Sequence, residues 1–291
     1  MDQAEHLRSI IKAKQSPTQR PLARVITVTS GKGGVGKSNT SINLAIQFRK
    51  MGQRVIILDA DFGLANIEIM FGTVPKHNLH DLIHQGKNIK DIITWGAGNV
   101  GFISGGSGIV GMSNLSREQL NYIIQNLAQL DAIADVIIID TGAGISDTVL
   151  EFLVASGEII LVTTPEPTSI TDSYSLLKAL NQYPRFSKET SQIKVMANRV
   201  NKISEGTALF DKLAMVSERY LKLPISYLGA VPWDKQLSDA VMQQKPVSLS
   251  YPNAKAAIAY EEIAAKLMGE EKTMKKRGMA AFFSHIISGK K

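Results

Sequence analysis

The sequence predicts an α/β fold, in which a mostly parallel central β-sheet is flanked by helices on both faces. Three observations support this prediction. Short apolar runs rich in Val and Ile recur along the chain, helical patterns separate them, and a glycine-rich loop joins the first run to the first helix. Near-continuous apolar strands that alternate with helices are typical of a parallel sheet covered on both faces.

The predicted elements follow one another from residue 24 onward. Apolar, β-branched runs predict strands over residues 24–30, 54–61, 100–104, 135–140, 158–164 and 192–198. Apolar residues at helical spacing predict helices over residues 38–52, 116–131, 145–156, 168–182 and 205–221. One more helix closes this body, so residues 24–268 are expected to form a single domain.

Two segments lie outside this body. A short amphipathic motif over residues 1–14 is followed by a proline-containing linker over residues 15–23, and residues 269–291 are expected to form a C-terminal amphipathic helix. Of the net charge of +7, residues 1–24 carry +3 and residues 272–291 carry +6, so the body sums to −2. The ends are therefore the expected contact elements, and DNA is not an expected partner of the body.

The composition excludes several classes of protein. The chain has no cysteine, which excludes disulfides, thiolate zinc sites and cysteine-ligated iron–sulfur clusters. No stretch approaches the roughly 18 consecutive apolar residues that predict a membrane-spanning helix. The first residues also lack the apolar run of a secretory signal. We therefore expect a cytoplasmic protein.

The loop GKGGVGKS at residues 31–38 has the spacing of a phosphate-binding P-loop, and it lies between a predicted strand and a predicted helix. Its glycines allow backbone N–H groups to surround phosphates, and the helix N-terminus adds partial positive charge. Lys37 is expected to reach the β- and γ-phosphates, and the Ser38 hydroxyl to bind Mg²⁺. Lys32, directly behind the first glycine, has no obvious role toward the nucleotide of its own loop.

Acidic residues end two of the predicted strands. Asp140 ends the run VIIID, where a Walker-B carboxylate holds the metal ion, and Asp59 and Asp61 end the second strand. One of the latter pair is expected to orient the attacking water. The chain lacks the Asn-Lys-x-Asp motif that reads guanine, which favours adenine and weakens the GTPase alternative without eliminating it.

These motifs resemble those of the MinD/ParA family of P-loop ATPases, whose deviant Walker A motif reads K-G-G-x-G-K-[ST]. The similarity extends to DADFGLAN (59–66), DTGAGI (140–145), TTPEPTSITDSY (163–174) and ANR (197–199). The resemblance implies hydrolysis of ATP and water to ADP and phosphate, with Mg²⁺. It also implies an ATP-dependent homodimer in which the early lysine, here Lys32, reaches the phosphates of the partner subunit.

The same resemblance assigns roles to further positions. Nucleotide contacts are expected from Gly31, Lys32, Gly33, Gly34, Val35, Gly36, Lys37, Ser38, Asn39, Asn198, Arg199 and Pro232. The expected metal ligands are Ser38, Asp140 and Asp59. Catalysis is expected to depend on Asp61, which matches the water-orienting acid, together with Lys32 and Lys37. The dimer face would include Lys32 and Asp172.

The motif Asp-Gln-Ala-x-x-Leu-Arg at residues 2–8, together with DFGLAN, resembles the FlhG (YlxH/FleN) branch of this family, which controls the number and placement of bacterial flagella. In that branch the N-terminal motif stimulates the GTPase FlhF. This implies an FlhF-facing stripe of Gln3, Ala4, Leu7 and Arg8. Other surfaces of the branch engage the flagellar C-ring proteins FliM or FliN/FliY.

The C-terminal helix has one apolar face. Met279, Phe282, Phe283, Ile286 and Ile287 fall within one arc of about 140°, and the basic cluster at residues 275–277 precedes them. Because each basic residue near an anionic leaflet is worth about 1 kcal/mol, we expect peripheral binding to the inner face of the cell membrane in the ATP state, when a dimer presents two helices. A hydrophobic groove is the alternative binding site for this face.

Two other functions are consistent with the sequence. A ParA-type ATPase that partitions DNA would bind nucleic acid through the basic ends. A scaffold protein would bind nucleotide without turning it over. Retention on DNA without binding to lipid would favour the first alternative, and the absence of turnover with partners present would favour the second.

Overall fold

Eight strands form one sheet at the centre of the protein, in a computed structural model that describes residues 22–61, 66–105, 117–270 and 278–288. The strand order is β3-β4-β2-β5-β1-β6-β7-β8. All neighbouring pairs are parallel except β3 with β4. The α/β fold class predicted from the sequence is confirmed.

The six predicted strands are present, and two more were missed. The strands are β1 (Arg24–Ser30), β2 (Val55–Ala60), β3 (Thr94–Trp95), β4 (Gly101–Ile103), β5 (Val136–Ala143), β6 (Glu158–Thr163), β7 (Gln192–Val200) and β8 (Ser226–Pro232). The missed strands are β3, which has only two residues, and β8, which contains a glycine and ends in a proline.

Helices connect the strands and cover both faces of the sheet. They are α1 (Lys37–Lys50), α2 (Asn66–Phe71), α3 (Leu79–Gln85), α4 (Arg117–Ala128), α5 (Leu130–Ile133), α6 (Asp147–Ala155), α7 (Pro167–Gln182), α8 (Ile203–Val216), α9 (Lys235–Met242), α10 (Val247–Ser250), α11 (Lys255–Glu270) and α12 (Gly278–Ser288). Two single turns add to these, a 3-10 turn at Ala97–Asn99 and a π-helical turn at Ser217–Leu221. None of the described helices is both long and apolar enough to cross a membrane.

The two faces of the sheet form separate parts of the core, because alternate residues of a strand point to opposite sides. Ile26 of β1 packs on the side of α1 and α11, with Phe48 and Tyr260. Val25 packs on the other side, with Phe152 of α6. The helices of both layers therefore bury their apolar faces on the same central strands.

A buried ion network ties three strands together at the edge where they begin. Glu158 of β6 accepts hydrogen bonds from Arg24 of β1 and Lys194 of β7, each at 2.8 Å. Arg24 also donates to the carbonyl of Leu267, and Lys194 donates to Glu270 at 2.6 Å, both in the last turns of α11. The end of α11 is therefore anchored to the sheet directly before the C-terminal segment, residues 271–291.

The C-terminal helix α12, expected to offer its apolar face to a membrane, packs inside the protein in this structure. Met279, Phe282, Phe283 and Ile286 are at most 1% exposed, and they join the core cluster that contains Phe152. The groove alternative therefore describes the present conformation. Membrane contact through these four side chains requires α12 to leave this position.

Candidate functional site

The P-loop connects β1 to α1 and has an open backbone. Gly34 and Gly36 have φ angles of 75° and 101°, a left-handed conformation that glycine adopts without strain. A side chain at Gly33 or Gly34 would meet no atom within 4 Å, so the space above the loop is free. No side chain caps the N-terminus of α1. Its first N–H groups are therefore available to an anion, which is the arrangement that binds phosphates.

The two lysines of the loop have different surroundings. Lys37 begins α1 and is only 8% exposed. The Lys32 side chain is 36% exposed, and its Nζ donates to Glu166 Oε2 and to Thr168 Oγ1, each at 2.8 Å. Lys37 is therefore enclosed by its own chain, with its charge acting on Asp140, whereas Lys32 lies partly exposed against the start of α7.

Asp140 lies deep in the site and has an unused ligand atom. Its Oδ1 accepts a hydrogen bond from Ser41 at 2.7 Å, while Oδ2 is buried without a hydrogen-bond partner. Burial raises the pKa of Asp140 to about 6, although the Ser38 and Ser41 hydroxyls and the charge of Lys37 act to lower it. A buried carboxylate oxygen without a donor is well suited to a cation or a cation-bound water.

Asp59 is paired with Asp140 across the strands β2 and β5. Its two oxygens accept the backbone N–H groups of Asp61 at 3.1 Å and Ile67 at 3.4 Å. Burial, followed by the nearby negative charge of Asp140, raises the pKa of Asp59 to about 8. Asp59 therefore holds together the two sides of the loop that leaves β2, and a cation nearby would favour its charged form.

Asp61 is half-buried at the start of that loop, and Asn66 donates to its Oδ2 at 3.2 Å. A side chain at Gly142, beyond Asp140, would come within 3.3 Å of Asp61 Oδ1. The carboxylate of Asp61 therefore faces the C-terminal end of β5. Residues 62–65, which follow Asp61, lie outside the described residues.

Of the residues expected beside the base, Asn198 contacts the P-loop directly. Asn198 is buried and donates to the carbonyl of Val35 at 2.7 Å, and its amide fills the space where a side chain on Gly36 would lie. Arg199 is exposed and has a left-handed backbone with a φ of 57°. Pro232 is half-buried at the end of the neighbouring strand β8. Asn198 therefore contacts the later part of the loop, at Val35 and Gly36, while the charge of Arg199 acts on Glu166.

The expected dimer residue Asp172 also touches the P-loop, but through its backbone. A side chain on Gly31 would come within 2.2 Å of the Asp172 carbonyl. Only glycine allows this approach of the loop to α7. The position of α7 and the shape of the loop are therefore coupled.

The residues fit Mg²⁺ and a nucleoside triphosphate. Mg²⁺ commonly keeps several waters and takes only one or two carboxylates together with phosphate oxygens. Ser38 and Asp140 could supply the protein ligands, with Asp59 behind them. Among the described residues, no three His, Cys, Asp or Glu side chains form a site that could hold a metal ion alone. Binding of Mg²⁺ at this site would therefore need phosphate oxygens as additional ligands.

Some predicted contacts lie outside the described residues, and others were missed. Gln3, Ala4, Leu7 and Arg8 belong to the first group, as does the side chain of Ile287. The partners Glu166, Thr168, Ser41 and Asn66 were not predicted. Glu166 is part of the quoted motif TTPEPTSITDSY, which is the one signal that could have pointed to it.

Comparison with known proteins places the chain among nucleotide-binding relatives. A family model described as ParA, NUBPL iron-transfer P-loop NTPase, matches residues 21–268. The chain is 38% identical over 270 residues to the antiactivator FleN of Pseudomonas aeruginosa, covering 93% of this chain and 95% of FleN. It is 32% identical over 289 residues to the flagellum site-determining protein YlxH of Helicobacter pylori, covering 97% of this chain and 96% of YlxH.

Solved structures show the same fold. The cell division ATPase MinD of Pyrococcus furiosus has a TM-score of 0.66 and 23% identity, covering 87% of this chain and 100% of MinD. A septum site-determining MinD complexed with Mg-ADP, from Pyrococcus horikoshii, has a TM-score of 0.64 and 23% identity, covering 84% of this chain and 96% of that one.

Proposed function

Because this chain belongs to the MinD/ParA family of P-loop ATPases, in its FlhG-like branch, we propose that it is an ATP-driven switch that sets the number or placement of flagella. ATP would assemble two copies into a dimer, and hydrolysis would separate them. The names of the relatives FleN and YlxH support the flagellar role. The iron-transfer role named in the family description lacks support here, since the chain has no cysteine.

The position of Lys32 supports the proposed dimer. Lys32 lies at the rim of its own phosphate cradle, while Lys37 already occupies the interior. We propose that Lys32 leaves Glu166 and Thr168 and reaches the phosphates of a second copy. Asp172 lies on the same helix as Thr168 and would belong to the same dimer face. An exposed ion pair contributes little to stability, so the release of Lys32 from Glu166 costs little free energy.

The proposed hydrolysis uses an in-line water. The P-loop N–H groups and Lys37 would hold the phosphates, and Ser38 and Asp140 would hold Mg²⁺, which neutralises the charge that develops on them. Asp61 would orient the water, because its carboxylate faces Gly142 at the end of β5, two residues after Asp140. Asn198, Arg199 and Pro232 would hold the adenine.

The proposed membrane contact requires α12 to move. Full burial of a Met, Phe or Ile side chain is worth roughly 1.5–3 kcal/mol, so its four buried side chains hold α12 by several kcal/mol. Weak membrane binding by a single short helix would not offset the free energy lost when α12 leaves the protein. Two helices on one dimer bind the same surface with a high effective concentration. We therefore propose that α12 is released at the inner face of the cell membrane only in the ATP dimer.

Proposed protein partners follow from the same branch. The N-terminal stripe of Gln3, Ala4, Leu7 and Arg8 would stimulate FlhF, and another surface would engage FliM or FliN/FliY. The acidic body disfavours the DNA-partitioning alternative. An electrophoretic shift of DNA that is sensitive to salt would favour it.

The role of Lys32 is tested by light scattering with ATP and Mg²⁺. We expect the wild-type chain to double its mass, and Lys32→Ala to stay a monomer while it still binds a fluorescent ATP analogue. Lys212→Ala, at an exposed position on α8, is the matched control and should dimerise. If Lys32→Ala dimerises like the wild type, Lys32 is only a surface lysine.

The cellular role is tested in a flagellated host whose own gene for this protein has been replaced. Cells that carry Lys32→Ala should have the same altered number of flagella as cells that lack the gene. Normal flagella in both strains would contradict the proposed flagellar role and leave the ATPase assignment intact.

A further inference from the structure

The seat of α12 is a hydrophobic groove between α4 and α6. Phe152 of α6 forms its floor, with its ring centroid 5.9 Å from that of Phe282 and 6.4 Å from that of Phe283. Leu127 of α4 belongs to the same buried cluster. If α12 leaves, as the proposed function requires, these side chains lose their cover. A vacant groove of this kind commonly receives the apolar face of another helix.

The other end of the chain enters the protein at the mouth of this groove. The Asp131 carboxylate accepts the backbone N–H groups of Met279, at 3.0 Å, and of Ala23, at 3.3 Å. A side chain on Gly278 would come within 2.9 Å of Leu22. The first described residues and the first turn of α12 therefore share one carboxylate.

Residues 1–14 carry an apolar pattern that resembles that of α12. Leu7, Ile10 and Ile11 have the spacing i, i+3, i+4, as do Met279, Phe282 and Phe283. The N-terminal side chains are smaller, so they would fill the groove less completely. This segment would therefore lose to α12 whenever α12 is seated, and could bind only after α12 has left.

The length of the chain permits this exchange. Seven residues, 15–21, separate the motif from Leu22, and they span up to about 23 Å when extended. A helix of 11 residues, the length of α12, is about 16 Å long. The motif can therefore enter the groove in either direction. A tether this short gives an effective concentration in the millimolar range, so even a weak fit would be occupied.

We propose that the groove between α4 and α6 binds the N-terminal segment of the same chain once α12 has been released. The two ends of the chain thus compete for one site. When α12 is seated, the N-terminal motif is available to a protein partner. When α12 is at the membrane, the motif is captured and the groove stays covered. This inference rests on the release of α12 in the proposed function.

Hydrogen exchange of the full chain, followed by mass spectrometry without vesicles or nucleotide, tests this exchange directly. Phe283→Asp places a charge in the apolar seat and should eject α12. Ser284→Asp adds the same charge at an exposed position of the same helix and should leave it seated. We expect the amides of residues 4–14 to exchange at least about 10-fold more slowly in Phe283→Asp than in Ser284→Asp or the wild type.

A second substitution and a competing peptide test whether the protection of residues 4–14 arises from binding in the groove. Ile11→Asp, combined with Phe283→Asp, should restore fast exchange in residues 4–14. A peptide of residues 277–289, added to Phe283→Asp, should do the same by refilling the groove. If Phe283→Asp loses exchange protection in the central strands, Asp131→Asn combined with Arg185→Ala replaces it, because these residues contact the two ends of α12.

The failure of this inference differs from the failure of the proposed function. Fast exchange of residues 4–14 while α12 is released overturns the inference, whatever the wild type does on vesicles. Protection of α12 in every variant overturns the inference, since the groove is then never vacated, but it does not bear on release in the ATP dimer, which the vesicle experiment tests. Protection of residues 4–14 that Ile11→Asp and the peptide remove supports the inference, even if the wild-type chain does not bind vesicles.

Discussion

Asp59 and Asp140 are adjacent acids on neighbouring buried strands, and both have raised pKa values. Burial disfavours the ionisation of both carboxyl groups, and the charge of Asp140 further disfavours that of Asp59. The site is therefore under electrostatic strain without a cation. A nucleotide and metal ion that bind here would relieve this strain and would therefore stabilise the fold.

The strain predicts a dependence of stability on pH. The pKa of Asp140 rises from 3.8 to about 6 on folding, so its contribution to stability is present at low pH and is lost as the pH rises through 6. The loss is about 3 kcal/mol by pH 8. In urea unfolding without nucleotide, the wild type should lose stability between about pH 4 and pH 7 relative to Asp140→Asn, with little further change above that range. Parallel profiles of the two proteins would contradict the burial of a strained carboxyl group.

Asp61 gives a prediction about the chemistry. Asp61→Ala should bind ATP and dimerise but lose turnover by at least about 100-fold, because the water loses its orienting group. Phosphate release with ATP and Mg²⁺ measures the rate, and light scattering measures the dimer. Asp91→Ala, at an exposed site far along the chain, is a control that should keep normal turnover. Normal turnover in Asp61→Ala would remove Asp61 from the mechanism.

Local motifs explain which site residues could be predicted. The P-loop is contiguous, so its role follows from eight consecutive residues. Lys32 and Glu166 are 134 positions apart, and their contact depends on how α7 lies against the loop. A local sequence pattern cannot predict a contact between residues so far apart in the sequence. The partners of predicted residues were therefore less accessible to sequence reasoning than the residues themselves.

Elements were predictable where a single pattern dominated. The long apolar strands and amphipathic helices follow from periodicity, whereas β3 pairs through only two residues and β8 carries glycine and proline. For α12, periodicity identified the apolar face at the four positions whose side chains are described, Met279, Phe282, Phe283 and Ile286, but not the surface that they contact. An apolar face is equally suited to a groove and to a membrane, so the pattern alone does not decide between them.

Glu158 gives a prediction at the level of elements, because it joins β1, β6 and β7. Glu158→Ala would leave Arg24 and Lys194 buried without their shared carboxylate, and should cost about 3–5 kcal/mol in urea unfolding. Arg54→Ala removes an exposed ion pair with Asp135 and should cost about 1 kcal/mol or less. Equal losses for the two variants would mean that the buried network is not what anchors these strands.

At the scale of the whole molecule, helix α6 connects the candidate nucleotide site to the C-terminal helix α12. Helix α6 begins at Asp147, a few residues after Asp140, and its Phe152 contacts Phe282 and Phe283 of α12. A movement of the loop after Asp140 would therefore be transmitted to the seat of α12 through a single rigid element. This arrangement is consistent with a switch in which nucleotide state controls the tail.

The most direct test of the switch is sedimentation with anionic vesicles. We predict that the wild-type chain pellets with ATP and Mg²⁺ but not with ADP, and that Lys32→Ala pellets with neither, because release of α12 requires the dimer. Neutral vesicles are the control and should retain less protein, since basic residues precede α12. Equal pelleting with ATP and ADP, or normal pelleting of Lys32→Ala, would contradict the account.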